Sequence, residues 1–181
     1  MQDVMQKGKS SITKPERDEY PDWYAAEIEL VHYDDLLGGL EDSFQKTLAF
    51  LQHLPEKKRL FRYQPEKWTI QEMWQHVIDT ERVLSYRAMR FSRGDTTVLQ
   101  GFDQNKYAEA SKANGRDWED LLQEYCAVRI SSLHLFRSFD SEMFMLRGTA
   151  GRSHVTVRAV GFLIIGHETH HIKTIRERYL D

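Results

Sequence analysis

Two histidines four residues apart, His167 and His171, sit in the string Gly166-His167-Glu168-Thr169-His170-His171. In an α-helix that spacing puts both imidazoles on one face, one turn apart, where they can share a metal ion. They extend an apolar seam of Val157, Val160 and Ile164, so two polar rings stand where core side chains are expected. A buried polar group left without a partner costs ~1–3 kcal/mol, so seam histidines call for a hydrogen-bond partner or a metal. A third, His76, falls on the apolar face of an earlier helical pattern that reads Met73, His76 or Val77, Thr80, Leu84, Arg87. Three neutral imidazoles plus one open position make a catalytic arrangement, since structural zinc sites normally fill all four positions from the protein. Zinc, nickel and iron(II) all accept imidazole nitrogen, so the ligands do not select the metal. The alternative is ordinary core or surface histidines.

Polar neighbours supply candidate supporting groups. Asp79, Glu81, Glu168 and His170 could orient the imidazoles, and Glu81 and Glu168 could also move protons. Arg87 and Arg90 could hold an anionic substrate, although such arginines often make only weak surface ion pairs. His167-Glu168-Thr169-His170-His171 also matches the H-E-x-x-H zinc-protease pattern. That architecture needs a further ligand downstream, where Glu177 and Asp181 are the only candidates and Glu177 continues the same helix, too close in sequence to fold back. An upstream ligand, His76, fits better.

These residues need long helices to hold them. Asp34 or Asp35 can cap a helix running to about Leu51, with Leu36, Leu37, Leu40, Phe44, Leu48 and Leu51 at three- and four-residue spacing. Gly38-Gly39 inside it marks a kink or a close helix approach. Thr69-Ile70-Gln71-Glu72 is a capping box for a second helix to about Arg93. Asp117 caps a third, with seam Leu121, Leu122, Tyr125, Val128, Arg129 or Ser132, Leu135 and Phe136, ending near Phe139. Thr156 caps a fourth that runs to about Leu180. Between them, Thr96 to Gly115 is a connection with a possible short helix from Asp103 to Ala113, and Asp140 to Val155 reads as a surface loop. Residues 1–19 read as a flexible polar tail, and Tyr20 to Tyr24 as an aromatic segment lying extended on the core. No strand-period segment of useful length appears. Four long amphipathic helices in one domain, residues 20–181, give an all-α four-helix bundle.

Composition narrows the partners. The 181 residues carry 25 basic and 28 acidic side chains, a net charge of −3, with no basic block to suit a nucleic acid. One cysteine, Cys126, rules out an internal disulfide and fits a reducing compartment. No apolar leader or membrane-length run is present, so the expected location is the cytoplasm and the expected partner is a small molecule rather than a membrane.

The pattern Lys67-Trp68-Thr69-Ile70-Gln71-Glu72-Met73-Trp74-Gln75-His76, followed by Asp79, Glu81, Arg87 and Phe91-Ser92-Arg93-Gly94-Asp95, together with Gly166-His167-Glu168 and His170-His171-Ile172, resembles the DinB/YfiT-like superfamily. The resemblance covers roughly Tyr20 to Leu180. It implies an up-down-down-up four-helix bundle, often a homodimer, with a divalent metal held by His76, His167 and His171. Zinc or nickel is the expected metal, with iron as an option. It also implies chemistry in which a low-molecular-weight thiol, such as bacillithiol, mycothiol or glutathione, is the co-substrate of an S-transferase acting on an electrophile. The alternatives are a non-catalytic metal- or small-ligand-binding bundle and an interaction bundle. An aromatic segment at Trp23 and Tyr24 could serve a dimer contact.

Overall fold

A computed structural model describes residues 11–180 of the chain. In order it contains α1 (Asp22–Glu29), α2 (Leu36–Gln52), α3 (Glu56–Arg59), α4 (Ile70–Ser92), α5 (Gln104–Ala110), α6 (Trp118–Arg137), a hairpin of β1 (Arg147–Ala150) and β2 (Ser153–Thr156), and α7 (Val157–Ile175), which ends in one wide turn at Arg176–Leu180. The four long helices start where their capping residues place them. Asp35 accepts from the Gly38 N–H, Thr69 and Glu72 cap each other reciprocally, Asp117 accepts from Asp120 and Thr156 accepts from Ala159.

Side-chain pairings fix the bundle's directions. α2 runs antiparallel to α6, with Phe44 against Tyr125 and Glu41 paired to Arg137. α4 runs parallel to α6, through Gln71 to Arg116, Glu81 to Arg129 and Ser85 to Ser132. α7 is parallel to α2, with Gly161 against Leu36 and, further along both helices, Glu168 bonded to Thr47; it is therefore antiparallel to α4, which it meets at His76 and His167. The order is therefore up, down, down, up, as the resemblance implied. Because α4 and α6 are parallel neighbours, residues 93–117 must travel back along the bundle, and α5 lies on that return. Among the described residues no helix is long and apolar enough to cross a membrane.

One buried side chain ties all four helices together. Arg129 on α6 is fully buried. Its Nε and Nη2 donate to both carboxylate oxygens of Glu81 on α4 at 2.9 and 3.0 Å. Nη2 also donates to Glu168 on α7 at 2.7 Å, and Nη1 to the Leu40 carbonyl and Ser43 hydroxyl of α2 at 3.2 and 3.1 Å. Glu168 accepts two further bonds, from Thr47 at 3.1 Å and from Tyr125 at 2.5 Å. Burial works against the Arg129 charge, but the Glu168 and Glu81 carboxylates outweigh it and hold its pKa well above the usual value.

Several expectations need correction. The loop from Asp140 to Val155 contains the antiparallel hairpin, in which Arg147 faces Thr156 and Ala150 faces Ser153. Its four-residue strands are too short, and too rich in polar residues, for a period-2 pattern to register. The aromatic segment after Pro21 is not extended: the backbone is extended at Tyr20 and Pro21 and then turns straight into α1. Gly39 resolves as a close approach, since a Cβ there would lie 2.9 Å from the Tyr33 Cβ and 3.0 Å from Ile165. Residues 1–10 of the expected tail lie outside the described residues, whereas 11–19 pack on the bundle. Glu19 is buried, accepts from Thr156 and pairs with Arg158, while Ser11 and the Ile12 N–H donate to Asp35.

Removing Arg129 would strand two buried carboxylates inside the bundle. Arg129→Met is expected to lower unfolding free energy by about 3–5 kcal/mol in urea titrations. A loss below about 1 kcal/mol would mean that the network is not what fastens the four helices.

Candidate metal centre

The three histidines converge. His76 comes from the second turn of α4, and His167 and His171 from the later turns of α7, which runs beside it in the opposite direction. The Nε2 atoms of His76 and His167 are 3.0 Å apart, and those of His171 and His167 are 3.2 Å apart. One ligand atom from each ring lies within 4.8 Å of the others. With metal–nitrogen bonds of about 2.0–2.1 Å, the edge of a tetrahedron of ligands is about 3.3 Å, close to these separations. Hydrogen bonds alone cannot satisfy the cluster. The His167 Nε2 carries either one hydrogen or one lone pair, so it can serve His76 or His171 but not both. A cation accepts a lone pair from each.

The electrostatics favour the ligating form. Burial pushes the His76 imidazole down to about 4. Burial first, and then the neighbouring imidazoles, hold His167 and His171 well below the ordinary histidine value. All three are therefore neutral near pH 7. The Thr80 hydroxyl lies 3.4 Å from the His76 Nδ1, and the Trp68 ring packs on the His76 ring at 4.8 Å between centroids. The Nδ1 of His171 is buried with no partner.

A cavity of about 290 Å³ opens onto these rings. α1 forms one wall with Trp23, Tyr24 and Glu27, which share a helical face. The wall is held close because α1 crosses α7 at Gly166, where a Cβ would come within 2.3 Å of the Glu27 carbonyl oxygen. Any larger residue there would lift α1 away from His167. Thr80 and Arg87 line the α4 side, and Phe102 comes from the return connection. Arg87 is buried and donates to the Gln100 carbonyl at 3.2 Å. Burial pushes the Glu27 carboxyl up to about 7.

The other sequence candidates are placed differently. Arg90 lies outside the cavity, bonded to Asp95 and Tyr86. Glu81 and Glu168, expected beside the metal, are held by Arg129, and among the described residues no hydrogen bond joins either carboxylate to a histidine. Asp79 bonds Gln75 and Arg82 at 3.1 and 3.5 Å, and burial raises its pKa. His170 is exposed, its ring 5.1 Å from that of His171. Sequence reading did not single out Glu27, and it offered Trp23 and Tyr24 only as a segment that could serve a dimer contact, whereas all three line the cavity. The four-residue step from Trp23 to Glu27 was the available signal, but it registers only once that segment is known to be helical.

Protonation of these rings has a defined sign. The unfolded chain binds a proton at His76 near pH 6.5, whereas the folded chain does so only at about 4. Above 6.5 the group contributes no pH dependence; as the pH falls from there toward 4, stability is lost. In metal-free protein, the loss of unfolding free energy between pH 7 and pH 5 is expected to be about 2 kcal/mol smaller in His76→Asn than in wild type, by urea titration at both pH values. Equal acid losses would show that the ring is not desolvated.

A family model described as the DinB superfamily matches residues 40–175, the stretch from α2 to the end of α7 that contains all three histidines. Among solved structures the fold matches YfiT from Bacillus subtilis, described as a probable metal-dependent hydrolase with an unusual four-helix bundle topology. The TM-score is 0.71 at 17% sequence identity, over 78% of this chain and 82% of that one. No curated protein matches the chain in sequence. With most of its length matched by the family model and its helices running up, down, down and up, the chain belongs to the DinB superfamily.

Proposed function

We propose that the protein is a divalent-metal-dependent enzyme that transfers a low-molecular-weight thiol to an electrophilic small molecule. The observation that carries the metal reading is the meeting of three neutral Nε2 atoms at the wall of an open cavity. His76, His167 and His171 would hold zinc, nickel or iron(II), leaving a position toward the cavity. Such a cation supplies Lewis acidity and lowers the pKa of a thiol or water that binds it.

The chain's own residues do the rest. Thr80 and Trp68 keep the His76 ring oriented, so that its Nε2 faces the other two imidazoles. Trp23, Tyr24 and Phe102 give the cavity an aromatic lining that displaces water from an apolar portion of the substrate. Arg87 offers a permanent positive charge to an anionic group. The thiol comes from the superfamily resemblance. The description of YfiT as a probable metal-dependent hydrolase supports a second reading, in which water takes the thiol's place at the same site.

The test is to load metal-free protein with zinc, nickel or iron(II) and assay it against two substrates. One is an aryl halide with a panel of thiols, and the other is an activated ester without thiol. Thiol transfer predicts metal-dependent conjugation that falls at least 100-fold in His171→Ala, with ester turnover near background. Metal-dependent ester cleavage without conjugation would select hydrolysis. Equal rates in wild type and His171→Ala on both substrates would remove the enzyme reading.

A further inference from the structure

The cavity beside the histidines holds one acidic and one basic side chain, and neither has a partner of opposite charge. Arg87 is buried, and its one hydrogen bond goes to a neutral acceptor, the Gln100 carbonyl. Among the described residues it has no carboxylate partner. Glu27 is partly buried on α1, on the helical face that carries Trp23 and Tyr24, and makes no side-chain hydrogen bond or ion pair among the described residues. The two do not pair with each other, although both line the same cavity.

Unpaired charge in a desolvated site is costly, so such groups are either neutralised or matched by a ligand. Elsewhere among the described residues the buried charges are matched: Glu19 by Arg158, and Arg129 by Glu81 and Glu168. In the cavity the pairing is missing at two places of opposite sign. We propose that Glu27 and Arg87 select a small zwitterionic substrate, with its ammonium group on Glu27 and its carboxylate on Arg87. Charge-assisted bonds in a partly dried cavity are stronger than their equivalents in water, so each contact contributes both affinity and orientation. The arrangement also discriminates. A purely anionic compound meets the Glu27 carboxylate, and a purely cationic one meets the Arg87 guanidinium. The cavity's volume of about 290 Å³ fits a molecule of amino-acid to small-peptide size. This inference rests on the cavity being the substrate site of the proposed enzyme and is independent of whether the reacting group is a thiol.

The experiment is calorimetric titration of the zinc-loaded full chain with three probes. These are glutathione, its N-acetyl derivative, which lacks the ammonium, and its S-methyl derivative, which lacks the thiol. Each is measured on wild type, Glu27→Gln and Arg87→Met, with melting midpoint and zinc content recorded for every protein. Acetylation is expected to weaken binding at least 10-fold in wild type and less than 2-fold in Glu27→Gln. Arg87→Met is expected to weaken glutathione and S-methylglutathione by the same factor, at least 10-fold. The proposal is overturned if acetylation changes nothing in wild type. It is overturned equally if Glu27→Gln binds all three probes as wild type does, as it would were Glu27 only a proton acceptor. If S-methylglutathione binds as tightly as glutathione and keeps these dependences, the thiol reading fails while charge selection stands. If Arg87→Met melts early or loses zinc, the acetylation comparison in Glu27→Gln decides alone.

Discussion

The contact on which the architecture depends is the buried guanidinium of Arg129. A charge with no solvent around it must be answered from the protein, and here the answer draws on every long helix: Glu81 from α4, Glu168 from α7, and the Leu40 carbonyl and Ser43 hydroxyl from α2. Apolar packing between amphipathic helices tolerates sliding and rotation at small cost. A fork of fixed hydrogen-bond directions does not. The hydroxyls of Tyr125 and Thr47 satisfy the remaining Glu168 acceptors. Such a network is not in itself a large source of net stability, because desolvating the charges offsets much of their attraction. What it supplies is registry, which a site built from two different helices requires.

The cavity depends on a second constraint, close contact between α1 and α7. Gly166 removes the Cβ that would otherwise push the Glu27 backbone away, so α1 can lie across the bundle one residue before His167. Trp23, Tyr24 and Glu27 are thereby brought to the histidines. Upstream, Glu19 locks the approach to α1 onto the start of α7 through Thr156 and Arg158. The histidine cluster thus has a rigid floor from α4 and α7 and a wall from the short helix α1, held to α7 at Gly166 and through Glu19.

Much of this was legible in the sequence, and the parts that were not have physical reasons. The four long helices and their capping residues could be read because caps and three- or four-residue apolar spacing are local signals. The three histidines could be read because each interrupts an apolar seam. Glu81 and Glu168 could not be placed, since a carboxylate near a histidine in sequence points toward or away from it according to helix rotation, and rotation is set by Arg129. Arg129 itself stood on the seam, but no local rule tells a buried arginine from a surface one at the edge of an apolar stripe. Glu27 and the hairpin were missed for a different cause: α1, β1 and β2 have 8, 4 and 4 residues, too few for periodicity to emerge above composition.

The H-E-x-x-H string shows how one short segment does two jobs. Consecutive residues on a helix diverge by about 100°, so His167 and Glu168 cannot face the same way. Here His167 and His171 face the cavity, while Glu168 turns into the bundle and meets Arg129. The glutamate that would serve as the base of a zinc protease is therefore held by three donors away from the three histidines. Its consequence for the site is indirect. By pinning one face of α7 to α6 and α2, Glu168 sets the rotation of that helix, and the rotation aims His167 and His171 at His76. The ion-pair network and the histidine cluster lie back to back across a single helix, and the geometry of the second follows from the satisfaction of the first.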